Sequence, residues 1–229
     1  MPYISQQYKT PADIPSTVSI FPLAGALLLP RGQLPLIIFE PRYLEMINNA
    51  MSADRLIGMI QPASEADIEM QDDADLCPKI TKIGCVGRIT SYTETGDGRI
   101  LITLSGISRF CVIKELECPY SYRLCQIDCD PFASDFTPGI GEDDVNREVL
   151  LSTFRKYLSA HGLEADWDSV HKSSNETLVN SLCIMSPYGA QEKQALLEAE
   201  DLKSRADILI ALTEMEMAQT TDDTDTTLQ

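Results

Sequence analysis

Three prolines decide what the most apolar stretch of this chain can become. The segment "FPLAGALLLPRGQLPLIIFEPRYLEMI" (residues 21–47) has the hydrophobicity of a leader or a membrane span. Pro22, Pro30 and Pro35 interrupt it, with Arg31-Gly32 between the last two. A spanning helix needs about 20 unbroken apolar residues, and an interior proline removes a donor and breaks the helix. The first residues, "MPYISQQYKTPADIPSTV", are polar and carry a single base, Lys9, unlike a signal peptide. The pattern therefore predicts two short buried strands, 18–23 and 34–39, joined by "LLLPRG". Glu40-Pro41 opens a helix over 41–52, since proline suits the first helical position.

The same reading continues downstream. "RLIGMIQP" (55–62) is a buried strand, and "PASEADIEMQDDADLCP" (62–78) is an acidic loop with six acids and no base. Residues 82–116 hold strands around Thr95-Gly96-Asp97-Gly98, a strong hairpin signal because Asp-Gly accepts positive φ angles. Gly106 is expected to end one strand, with another over 108–116 and a last one over 120–130. Six or seven short strands with one helix predict a small closed barrel.

Beyond "DPFASDFTPGIGEDD" (130–144), which reads as a linker, the periodicity becomes helical. Leu150, Phe154 and Leu158 are spaced by four, and His161-Gly162 marks an end. Further helices are expected over 175–185, from Ala190, and over 201–217. Glu142, Asp143 and Asp144 read as acidic capping of the first of these helices, and Trp167 as an anchor between two of them. The resulting organisation is an extension 1–17, a barrel 18–133, a helical bundle 134–217 and a disordered acidic tail 218–229.

Charge narrows the function classes. The net charge is −17. Residues 1–133 carry 11 basic and 16 acidic side chains, and residues 134–229 carry 7 and 19. Nucleic-acid binders present a basic patch, so nucleic acid is not an expected partner. Seven cysteines, an odd number without a dense framework, point to reduced thiols and a cytoplasmic location. Cys125 and Cys129 would share a strand face, but no Cys-x-x-Cys pair exists and the two histidines are distant, so no metal site is expected.

Catalytic motifs are missing as well. There is no Gly-Lys dipeptide for a phosphate loop, no His-Glu-x-x-His and no Gly-x-Ser-x-Gly. No catalytic residue and no cofactor are therefore expected.

The order of the blocks "SIFPLAGALLLPRGQLPLIIFEPRYLEMINNAM", "RLIGMIQP" and "GCVGRITSYTETGDGRILITLSGISRF" resembles the N-terminal substrate-binding domain of the Lon protease, over about residues 18–130. Leu104-Ser105-Gly106-Ile107-Ser108-Arg109-Phe110 is similar to that family's Leu-x-Gly-x-x-Arg-Phe segment. With the helical half, the resemblance extends to about 217 and is greatest to free-standing bacterial members, in which neither the ATPase nor the protease module follows. It implies an α+β fold, a PUA-like small β-barrel followed by a C-terminal helical bundle. It also implies a non-catalytic polypeptide-binding module, an adaptor or modulator in protein quality control. Its partners would be unfolded or partly folded polypeptides, with a protease or chaperone beside them, and neither nucleic acid nor membrane. The expected binding surface comprises Leu34, Pro35, Phe39, Arg42, Tyr43, Tyr92 and Arg99. For Arg42 and Tyr43 the alternative is structural, with Arg42 paired to a carboxylate and Tyr43 packed under the barrel. The competing function is a small-ligand sensor with a pocket between barrel and helices.

Overall fold

The computed structural model describes residues 8–64, 67 and 78–226, with side chains up to residue 219. The acidic loop falls almost wholly outside the described residues. Among the described residues six strands form one sheet: β1 (Thr17–Pro22), β2 (Gln33–Ile38), β3 (Leu56–Ile60), β4 (Ile83–Glu94), β5 (Ile100–Leu116) and β6 (Arg123–Asp128). Helix α1 (Pro41–Met51) follows β2 directly, with Pro41 at its first position as the sequence predicts.

The strand order is β2-β5-β4-β3-β1-β6, and β6 pairs again with β5. Five strands thus close into a ring, and β2 is appended outside it. Closure depends on the length of β5. Its first part, Ile100–Ser105, pairs with β2, and its last part, Cys111–Leu116, pairs with β6. On its other side Ile100–Cys111 pairs with β4, with bulges at Val86/Gly87 and Ile89/Ser91 that bend the ladder. The expected hairpin is present: Thr95 N–H donates to the Arg99 carbonyl at 2.9 Å, and Gly98 has φ +83°.

Gly106 does not end a strand, contrary to the sequence expectation. It is the point where β5 changes partners. A Cβ there would lie 2.0 Å from the Leu29 carbonyl oxygen. The glycine therefore serves close backbone approach. Arg31 N–H donates to its carbonyl at 2.8 Å, and its own N–H reaches the Gly32 carbonyl at 2.9 Å.

Helices α2 (Arg147–Ala160), α3 (Trp167–Lys172), α4 (Asn175–Met185), α5 (Ala190–Glu198) and α6 (Leu202–Thr226) make the second half. The short α3 has no counterpart in the sequence reading, since six residues give too little periodicity to detect. It is capped by Asp166, which accepts from Ser169 N–H. Trp167 at its start is packed against the main core, with the Arg155 guanidinium 4.5 Å above its ring. Helix α6 runs on through 218–226, where composition predicts disorder. Extending a helix already nucleated adds one hydrogen bond per residue fixed, which polar residues can follow.

The segment read as a linker is ordered. It forms 3-10 turns at Asp130–Phe136 and Glu142–Asp144, and Asp135 and Phe136 are buried. The acidic triplet does not cap α2; Asn146 does, accepting from Val149 N–H. Glu142 instead accepts from Glu176 N–H at the start of α4, at 2.8 Å.

Two cores result. One fills the barrel, with Val18, Ile20, Val86, Phe110 and Cys125 buried. The larger one runs from Phe21, Leu27–Leu29, Ile38 and Tyr43 into Leu150, Val179, Cys183, Leu196 and Leu209 of the helices. The β1–β2 loop joins the halves. Arg31 holds φ +62°, a costly conformation for a residue with a Cβ. Its side chain pairs with Glu176 and donates to the Asp135 carbonyl. Asn180 donates to the Pro30 carbonyl at 3.1 Å.

Candidate binding groove

Because β2 lies outside the ring, a gap remains between it and the end of β1. The gap is a groove of about 130 Å³, lined on one side by Phe21, Pro22 and Leu23 and on the other by residues 36–40, with Tyr43 below. Its floor is a ring contact: Phe21 and Tyr43 have centroids 4.2 Å apart. Pro41 starts α1 so close to β2 that Tyr43 must fold back under the sheet, which explains why it is 6% exposed.

Beside the groove the outer sheet face is apolar. Ile37 is 56% exposed and Phe39 63%. Leu101, paired with Ile37 across the β2–β5 ladder, is 41% exposed. Single exposed apolar side chains are ordinary; here three of them, Ile37, Phe39 and Leu101, belong to β2, its end and the strand paired with it.

The sequence-predicted surface is only partly brought together. Phe39 and Tyr43 line the groove. Pro35 faces outward on β2, and Leu34 is half-buried on the opposite face. Arg42 lies against Glu40 at 2.7 Å and its guanidinium sits 4.7 Å from the Tyr43 ring, which is the structural alternative for that pair. Tyr92 shares a row with Ile102 and Leu36, packs partly into the main core and donates to Glu94. Arg99 sits at the hairpin tip against Asp97. Tyr92 and Arg99 thus lie on β4 and at the turn, outside the groove lining.

Sequence reasoning missed Phe21, Leu23 and Leu101, and within the stretch 34–43 it did not single out Leu36 and Ile37. The run "QLPLII" is apolar at nearly every position, so no alternation distinguishes the outward Ile37 from the inward Leu36 and Ile38. Only the ladder does so.

The lining defines the chemistry. It offers aromatic and aliphatic carbon, one carboxylate at the rim (Glu40) and the open side of β2. It suits apolar side chains of a ligand held beside an extended backbone. Elsewhere three buried thiols are suppressed: burial pushes Cys129 and Cys183 up to about 12 and Cys85 higher still. Among the described residues no group of three His, Cys, Asp or Glu side chains is placed to hold a metal ion, and no helix is long and apolar enough to cross a membrane.

Comparison with known proteins places this arrangement. A family model described as the ATP-dependent protease La (LON) substrate-binding domain matches residues 17–214. "Lon protease 2" of Myxococcus xanthus is 27% identical over 205 residues, covering 87% of this chain and 24% of that protein. The Lon protease of Parabacteroides distasonis is 29% identical over 205 residues, covering 83% and 23%. The chain thus spans about a quarter of the length of the curated relatives it matches. Two solved structures share the fold: a Lon N-terminal domain protein from Xanthomonas campestris (TM-score 0.58, 18% identity) and the N-terminal domain of a Mycobacterium avium complex Lon protease (TM-score 0.63, 15% identity). Each match covers 86% of this chain and 98% of the other.

Proposed function

The chain belongs to the LON substrate-binding domain family, and from that premise we propose that it is a non-catalytic module that binds unfolded polypeptide. The supporting observation is the groove between β1 and β2 with its exposed apolar rim of Ile37, Phe39 and Leu101. A folded protein hides its large apolar side chains, whereas an unfolded one offers them on an extended backbone. The groove selects for that state.

On this reading the module works in the cytoplasm as an adaptor or modulator, holding a client near a protease or chaperone. The direct test is fluorescence anisotropy of labelled, reduced and carboxymethylated α-lactalbumin, with the folded protein as the control. Binding of the unfolded form alone supports the module, and binding of neither form removes it. The modulator role is tested by adding the chain to a purified Lon protease degrading casein; an unchanged rate across saturating concentrations rejects that role.

A small-ligand site between barrel and helices has less support. The junction is closely packed at two points: a Cβ on Gly32 would lie 2.5 Å from Ile184, and Arg109 donates to the Leu197 and Ala199 carbonyls.

A further inference from the structure

Strand β2 ends the sheet order: β5 pairs with one side, and no described strand pairs with the other. The ladder determines which groups face the open side. Gly106 N–H donates to the Gly32 carbonyl, so residue 32 faces β5. Alternation then turns Leu34, Leu36 and Ile38 toward β5, and Gln33, Pro35 and Ile37 away from it. Pro35 fits that assignment, because its missing N–H falls where the ladder needs none. The open side therefore presents the N–H groups of Gln33 and Ile37 and the carbonyls of Gln33, Pro35 and Ile37. Outside strand pairing, no hydrogen bond among the described residues engages the backbone of these three.

A row of free donors and acceptors at strand spacing is complemented by another extended backbone. The groove lies along the same side, so alternate side chains of such a backbone would enter it beside Leu36 and Ile38. Charge narrows the occupant further. Arg42 is the one base between residues 34 and 43, and it already lies against Glu40. Arg99 lies against Asp97. A chain of net charge −17 favours a cationic partner and opposes a second copy of itself.

We propose that β2 takes up an extended polypeptide segment as an added strand, with alternate apolar side chains in the Phe21–Tyr43 groove and basic residues flanking them. This rests on the polypeptide-binding reading above and specifies its mode.

The test keeps the protein unaltered. The probe is a short fluorescein-labelled peptide that alternates Val or Phe with Thr and carries two lysines at each end. Two further versions are N-methylated at one or the other alternate set of backbone nitrogens. Anisotropy should show one methylated version binding about tenfold or more weakly, because strand pairing uses only one set. The other version should stay close to the parent. Equal affinity for all three overturns strand addition but leaves the groove reading standing. No binding of the parent peptide or of carboxymethylated α-lactalbumin removes both. Replacing the lysines by glutamates should weaken binding at low salt, with the difference shrinking at high salt; indifference to the swap overturns the charge requirement. A stable dimer in sedimentation that the peptide does not dissociate would assign β2 to self-pairing and overturn the proposal.

Discussion

Arg109 holds both carboxylate oxygens of Asp135, with Nε to Oδ2 and Nη2 to Oδ1 each at 2.9 Å. The two side chains are 3% and 8% exposed. Asp135 also accepts from the Arg109 backbone N–H, and the remaining guanidinium nitrogen reaches the Ala199 carbonyl at 2.5 Å. One arginine on β5 thus ties the barrel to the 3-10 turn after it and to the end of α5. Nearby, Arg205 of α6 donates to the Leu196 carbonyl and to Asn180, so this buried cation also has partners.

Removing one partner of this pair should cost far more than a surface ion pair. Asp135→Ala leaves the Arg109 charge buried and uncompensated, an effect of about 3–5 kcal/mol. Urea denaturation should show a midpoint much lower than wild type. Arg109→Met combined with Asp135→Leu should recover most of the loss, since it buries no charge. A single variant as stable as wild type would contradict the burial of the pair.

Gly106→Ala should destabilise severely, because the backbone of Leu29 stands where the methyl group would go. Gly96→Ala in the hairpin meets nothing within 4 Å and has no positive φ, so it should change stability by less than about 0.5 kcal/mol. Thermal melts of the two variants check the contrast.

Groove and core variants should separate binding from folding. Ile37→Ser and Phe39→Ser alter exposed side chains and should shift stability by less than about 0.5 kcal/mol while weakening the binding of unfolded polypeptide. Tyr43→Ala removes a buried ring packed against Phe21 and should cost about 3–5 kcal/mol. Denaturation and anisotropy on the same preparations give both readings.

Acid should loosen the contact between the Glu142–Asp144 turn and α4. The Ser174 hydroxyl, then the Glu176 N–H, hold the Glu142 carboxyl below its usual 4.5. A depressed carboxylate contributes stability that is present above the unfolded value and lost as pH falls through the folded one. The melting difference between wild type and Glu142→Gln should therefore persist at neutral pH and shrink below about pH 4.5. A difference constant down to pH 3 would reject the assignment.

Thiol reactivity should follow burial. Cys85, Cys129 and Cys183 are buried, and each thiol is raised by desolvation first. Iodoacetamide at pH 8 should leave them unmodified in the folded chain and label them in urea, as read by peptide mass spectrometry. Cys111 and Cys118, both partly exposed, should react before the buried cysteines.

Local chemistry alone determined much of this protein. Pro22, Pro30 and Pro35 excluded an unbroken helix over 21–47, Pro41 set the start of α1, Asp97-Gly98 placed the hairpin, and the four-residue spacing of Leu150, Phe154 and Leu158 placed α2. Each effect acts within a few residues, through a missing donor, a φ preference or one helical turn, so the sequence carries it directly. Tertiary structure decided the rest. Gly106 looks like a strand end until Leu29, 77 positions earlier by residue number, is seen against it. Asp135 looks like a linker residue until Arg109 reaches it. Ile37 and Ile38 are neighbours of identical chemistry, one exposed and one buried, and only the pairing of β2 with β5 separates them. These contacts join residues far apart in the chain, and their energy appears only once loop closure has brought the partners together. A reading by composition and period registers the residues but not the partners that give them their roles.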